Sequence, residues 1–218
     1  MSTVDQKILD SLFRDIVKFY SSSKTSIITL RAIINAIRFL ECKDDRFRVQ
    51  VMEVCKTITN SQPRMFPIDN LIILLEHELE KNSFFEDKDI SIKKSATIEI
   101  LEDLIIRLNY DMKELANQGL DHITDGDFIV LHAAEEPVEL LLPEAKNMGR
   151  EFEVLILRQE PVKTNRVIKI MEQNQIKFTV IPEWDLIHHF DKVTKLFIGA
   201  YAITADGKFV SDSGTSNI

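Results

Sequence analysis

Three cations recur at seven-residue spacing near the N-terminus: Lys24, Arg31 and Arg38. Seven residues make about two helical turns, so the three share one face of a helix, and Arg14 and Lys18 sit on the helix before it. Such a face can hold a phosphorylated, acidic partner through charge-assisted hydrogen bonds. The plainer reading of the same spacing is a solvated helix face. Metal and redox chemistry have less to work with. Cys42 and Cys55 are the only cysteines, without paired metal-ligand spacing or a disulfide framework. That predicts no metal centre and a reducing compartment.

Charge narrows the partners further. A formal net charge of -8 over 218 residues opposes broad binding to a nucleic-acid backbone, which needs clustered Lys and Arg. The acidity is uneven: residues 1–58 hold 10 Lys/Arg against 7 Asp/Glu, a surplus of +3, which leaves -11 for the rest. The opening Met-Ser-Thr-Val-Asp-Gln-Lys lacks the apolar core of a signal peptide. No run approaches the roughly 20 apolar residues of a membrane span. The expectation is a cytosolic protein with no membrane and no direct nucleic-acid contact.

The elements that carry these residues are legible from periodicity. Val4, Ile8, Leu12, Ile16 and Tyr20 recur every four residues, widened by Leu9, Phe13 and Val17, and predict a first helix. Ser21-Ser22-Ser23 ends it, and Ile27, Leu30, Ile34, Ile37 and Leu40 mark a second. A third runs over 45–58 and, beyond a loop holding Pro63 and Pro67, a fourth over 68–79. The charged stretch 81–94 reads as a connector and 95–120 as a long amphipathic helix. After Gly126 the rhythm changes. Apolar runs at 128–131, 152–157, 178–181 and 196–198 alternate with helices at 135–148, 162–173 and 184–190. Strands alternating with crossover helices make a parallel sheet covered on both sides. The fold class is therefore α/β: an all-helical N-terminal domain (1–94), a linker helix (95–120) and a partial Rossmann-like domain (121–218). The sheet is half of a doubly wound one, so a fragment, a truncated isoform or a divergent gene product is expected, truncated at the C-terminus. A homo- or heterodimer through the α/β domain would cover the open sheet edge.

The last residues carry a recognisable layout: Leu196-Phe197-Ile198 into Gly199-Ala200, a tight Asp206-Gly207 turn, then Gly214-Thr215. This resembles the Gly-Ala-Asp…Asn-Gly…Gly-Thr block of one superfamily. Its members are the regulatory subunits of translation initiation factor 2B and the isomerases of ribose 1,5-bisphosphate and methylthioribose 1-phosphate. The strand leads at Asp127–His132, Gly149–Val154 and Ile176–Pro182 are similar in order and spacing.

The resemblance implies a degenerate pocket. The isomerases place a cysteine after strand one, where this chain has His132-Ala133-Ala134, and an aspartate where it has Tyr201. A phenol with a pKa near 10 does not replace a carboxylate base at neutral pH. The arginine that precedes a proline after strand two is here Glu160, which repels a dianion, and the Asn-Lys before Gly-Thr is Ser211-Asp212. Arg166 keeps a cation nearby. The plainer reading makes His132 and Tyr201 packed residues at strand ends, and Arg166 a surface helix residue. No catalytic residue and no cofactor is expected.

Among the non-catalytic members the beta subunit is most similar, through Thr57–Pro63 and Ala116–Ile123, while Ala200 and Ala202-Ile203 suit the alpha subunit. The resemblance implies a regulatory subunit of the exchange factor that reloads initiation factor 2 with GTP. Its partners would be the other subunits of that factor and the phosphorylated alpha subunit of factor 2. Lys24, Arg31 and Arg38 are the contact candidates. The alternatives are an isomerase-like protein retaining a sugar-phosphate or nucleotide pocket, and a free-standing helical adaptor with a decayed sheet.

Overall fold

Ser21 separates two helices because its hydroxyl accepts the Lys24 amide at 3.3 Å, a bond that the start of a helix otherwise leaves open. Helix α1 spans Thr3–Phe19 and α2 Ser22–Phe39. A 3-10 turn at Asp44–Arg46 leads into α3 (Phe47–Thr59), followed by α4 (Phe66–Lys81) and α5 (Ile90–Leu120). This computed structural model describes residues 3–81, 89–212, 214, 215 and 218. Residues 82–88 of the expected connector, Ser216 and Asn217, and the side chains of Val4 and Leu9 lie outside the described ones. Two compact units, Met1–Asn109 and Tyr110–Ile218, divide within α5.

The helical unit differs from expectation in three places. Pro67, expected in the loop, stands in the first turn of α4, where its missing N–H costs no helical bond. Helix α5 begins at Ile90 rather than Ser95. The Asp89 carboxylate accepts the Ser91 amide at 3.0 Å, and buried Lys93 donates to the Asp44 carbonyl at 3.0 Å. On α1 it is the second apolar stripe that packs: Phe13 is buried and Val17 partly so, while Ile8 and Leu12 are each 57% exposed. An aromatic ring removes more apolar surface from water than an aliphatic side chain, so the orientation that buries Phe13 prevails. Helix α2 packs as the spacing predicts, through Leu30, Ile34 and Ile37, with Ile33 added. Its buried Ser26 and Thr29 hydroxyls donate back to the carbonyls of Ser22 and Thr25 at 2.8 and 2.9 Å.

In the second unit, β1 (Phe128–His132), β2 (Glu153–Leu157), β3 (Lys177–Ile181) and β4 (Lys195–Ile198) form one parallel sheet in the order β3-β2-β1-β4. Helix α6 (Glu136–Asn147) crosses from β1 to β2, and α7 (Pro161–Gln173) from β2 to β3. Ile129, Leu131, Val154 and Ile156 pack with Leu142 and Met171 on one face. Val130, Leu155 and Leu157 pack with Ile181 and Leu186 on the other. Side chains alternate across a strand, so burying both faces demands the unbroken apolar runs seen in the sequence.

The third crossover is not the α-helix predicted over 184–190. Glu183–His189 is a 3-10 helix with only Leu186 buried. Three residues per turn stack Trp184, Ile187 and Phe190 on one side, and these are 76%, 61% and 52% exposed. Beyond β4 a short hairpin, β5 (Ala202–Ile203) and β6 (Phe209–Val210), brackets the Asp206-Gly207 turn. The turn is legible in the sequence; two-residue strands are too short to show a period.

Two anchors fix β1 against β4. At the strand starts, Asp127 accepts from the Thr124 amide at 2.6 Å, the Thr194 hydroxyl at 2.7 Å and Lys195 Nζ at 3.2 Å. At the tips, a side-chain carbon on Gly199 would fall 1.7 Å from the Ala133 carbonyl oxygen. Only glycine allows that approach. Because β2 and β4 flank β1, the chain order reverses there and the tips open a switch point, where ligands bind in sheets of this kind.

Candidate functional site

At the strand tips a group of polar side chains of the second unit bond one another. His132, buried at the end of β1, bonds Glu183 Oε1 through Nε2 at 2.8 Å and the Thr215 hydroxyl through Nδ1 at 3.1 Å. Both imidazole nitrogens are thereby committed within the protein. Gly214 beside Glu183 takes φ +96°, the left-handed region that favours glycine.

Beside this pair lies a second network centred on Asp212. Lys163 Nζ donates to Asp212 Oδ1 at 2.8 Å, to Oδ2 at 2.9 Å and to the Tyr201 hydroxyl at 2.8 Å. The Tyr201 hydroxyl donates to Asp212 Oδ1, and Gln159 Nε2 donates to Oδ2 at 3.2 Å. Burial works against the Asp212 charge, but the bonds from Lys163, Tyr201 and Gln159 hold its carboxyl below the usual range. Burial, followed by the bond to Asp212, pushes the Tyr201 phenol up. A phenol shifted further from neutrality, donating to an ionised carboxylate, is not a base.

Helix α7 supplies the rest. Glu160 caps its N-terminus, accepting the amides of Val162 and Lys163 at 3.1 and 3.3 Å. The helix end that would attract an anion is thus already neutralised from within. Arg166 Nε donates to buried Glu139, and Nη2 to the Ala134 carbonyl at 3.1 Å. Its Nη1 is buried without a hydrogen-bond partner. Ala133, Ala134, Gln159, Lys163 and Thr164 enclose a cavity of about 10 Å³ at these tips, room for one water.

The sheet therefore brings His132 and Tyr201 to the strand tips and sets Glu160 and Arg166 on α7 next to them. Sequence reasoning missed Lys163, Gln159, Glu183 and the pairing role of Asp212. One signal was available for Lys163: it stands three residues before Arg166, hence on the same helix face. Thr215 and Asp212 meet their partners through long-range contacts that no spacing reveals.

Lys24, Arg31 and Arg38 belong to the helical unit, exposed along α2, and Arg14 and Lys18 are exposed on α1. Arg38 reaches Asn35 at 3.4 Å and Glu102 at 3.8 Å. An open recess of about 450 Å³ lies between α2 and α5, with Arg31, Arg38 and Glu102 on its rim and Ile34, Ile105 and Ile106 along it. Among the described residues no group of His, Cys, Asp and Glu could hold a metal ion, and no helix is long and apolar enough to cross a membrane.

The pattern of the initiation factor 2 subunit family matches residues 18–218. The delta subunit of translation initiation factor eIF2B from Dictyostelium discoideum is 24% identical over 160 residues, 73% of this chain and 25% of that protein. Ribose 1,5-bisphosphate isomerase from Haloferax volcanii is 18% identical over 80% of this chain and 52% of that protein. In the solved tetrameric eIF2B-beta2-delta2 complex from C. thermophilum, one chain superposes with a TM-score of 0.82 at 21% identity. That match covers 97% of this chain and 69% of that one, and it carries the fold. The chain spans between 25% and 55% of the first curated relatives it matches.

Proposed function

The chain belongs to the initiation factor 2 subunit family, and we propose that within it this protein is a non-catalytic regulatory subunit of the exchange factor for translation initiation factor 2. It works in the cytosol, assembles with the other subunits of factor 2B, and meets the phosphorylated alpha subunit of factor 2. One observation carries the non-catalytic part: at the strand tips His132 is bonded to Glu183 and Thr215, and Tyr201, Lys163 and Asp212 are bonded to one another, so the polar groups there are engaged within the protein. Acid–base catalysis needs a group within reach of a substrate proton. The likeness to a chain of the beta2-delta2 complex supports assembly with sister subunits.

The contact surface in this reading is the α2 face, Lys24, Arg31 and Arg38, with the recess along Ile34 and Ile106 behind the two arginines. An arginine fork beside an apolar floor suits a phosphorylated side chain on a folded partner. Reversal of Arg31 and Arg38 to Glu is expected to weaken binding to the phosphorylated alpha subunit by at least about ten-fold and to change the unphosphorylated form little. Equal affinities before and after the reversal remove the contact. Affinity capture from the source cells, read by mass spectrometry, is expected to recover the other subunits of factor 2B.

A second reading rests on the isomerase relative, which aligns over 80% of this chain. It is a sugar-phosphate or nucleotide binder. Saturable heat with a ribose phosphate or a nucleoside monophosphate favours it over the subunit reading.

A further inference from the structure

We propose that, of the two arginines on the α2–α5 recess, Arg31 reads the phosphoryl group of the partner and Glu102 holds Arg38 out of that contact. The inference rests on the reading of the α2 face as the contact surface, and it names the residue that makes the contact specific. The two arginines are unequal. Arg38 is engaged within the protein: Nη1 donates to Asn35 Oδ1 at 3.4 Å, and Nη2 lies 3.8 Å from Glu102 Oε1. Arg31, exposed on the same recess, has no hydrogen-bond or ion-pair partner among the described residues. Lys24 does not line the recess.

The two guanidinium groups do not work as one clamp. Seven residues are about 10 Å of helix rise, and charges about 10 Å apart are largely screened from each other at 0.1 M salt. A phosphoryl group that approaches Arg38 meets the Glu102 carboxylate beside it, and the like charge offsets the attraction. The Arg31 fork is free to donate in parallel to two phosphoryl oxygens. Asn35 strengthens this end. It stands one turn after Arg31 on the same helix face, and with Oδ1 accepting from Arg38 its Nδ2 is left as a further donor. Ile106, 66% exposed, with buried Ile34 and Ile105, lines the same recess, which suits a phosphorylated residue that has an apolar neighbour. The Arg38–Glu102 pair is long and more than half exposed on both sides, so it adds little to the fold and can be opened without unfolding the chain.

The test is calorimetric binding of the full chain to the alpha subunit of factor 2, phosphorylated and unphosphorylated, at about 0.1 M salt. Arg31→Ala is expected to weaken binding of the phosphorylated form at least about ten-fold and to change the unphosphorylated form little, whereas Arg38→Ala costs less than about three-fold. Adding Glu102→Gln to Arg31→Ala frees Arg38 and is expected to tighten binding again by about three-fold. Arg31→Lys, which keeps the charge and loses the fork, falls between wild type and Arg31→Ala. Arg31, Arg38 and Glu102 are all exposed, and unchanged thermal unfolding shows that each variant is folded. Equal losses for Arg31→Ala and Arg38→Ala overturn the proposal, as does a double variant that binds no tighter than Arg31→Ala. In both cases a wild type that prefers the phosphorylated form leaves the subunit reading standing. A wild type without that preference overturns the contact surface and the proposal together.

Discussion

Cys55 shows how one environment disarms a reactive group. Burial, with a smaller contribution from the charge of Glu76, pushes its thiol up to about 11, so almost none is thiolate near neutrality. Cys42 is half-buried and open to solvent. A thiol reagent at about pH 8 is therefore expected to modify one cysteine of the native chain, Cys42, and both after denaturation. Rapid native modification of Cys55 contradicts this packing. Tyr201 makes the complementary case. Its identity in the sequence already argued against a carboxylate's role, but only the structure shows the hydroxyl spent between Lys163 and Asp212. Tyr201→Phe is expected to cost about 1–2 kcal/mol of stability, read by urea unfolding, because the carboxylate keeps its burial and loses a donor.

At the level of elements, the join between β1 and β4 carries two predictions. Burial opposes the charge of Asp127, yet the bonds from Thr124, Thr194 and Lys195 bring its carboxyl down to about 2 from the ordinary 3.8. A lowered folded-state value means stability that is fully present above pH 3.8 and lost as the pH falls through about 2. Asp127→Asn is expected to lower stability by about 1–3 kcal/mol near neutrality, a gap that closes in acid; a gap that persists at about pH 2 refutes the assignment. At the other end of the same strands, Gly199→Ala sets a methyl group against the Ala133 carbonyl oxygen and is expected to cost at least about 2 kcal/mol in denaturant unfolding. The Gly199-Ala200 step is plain in the sequence, but its cause, a backbone approach between two strands far apart in the chain, is not. The parallel strands were legible because both faces are buried and the runs stay apolar. The 3-10 crossover was not, because Trp184, Ile187 and Phe190 offer the apolar residues of a helix without the burial.

For the molecule as a whole, charge is unevenly spread: residues 1–58 carry a surplus of +3 and the remainder -11. The net-positive opening stretch holds the α2 face and the acidic remainder holds the sheet. Contacts made through exposed arginines are screened over about 10 Å at 0.1 M salt, so binding of a phosphorylated partner is expected to weaken steadily as salt rises. Salt-independent affinity points to an apolar contact instead. The helical and parallel-sheet halves could be read from periodicity, whereas the closed network at the strand tips depends on residues such as Lys163 and Thr215, 52 positions apart in the numbering, which only folding brings to one place. The exposed side of the 3-10 crossover has a practical consequence. It carries the sole tryptophan of the chain, Trp184, in water. The protein thus contains its own optical reporter: emission is red-shifted and quenchable by acrylamide when the chain is alone, and a blue shift on mixing with another subunit marks the 3-10 surface as the one that becomes covered.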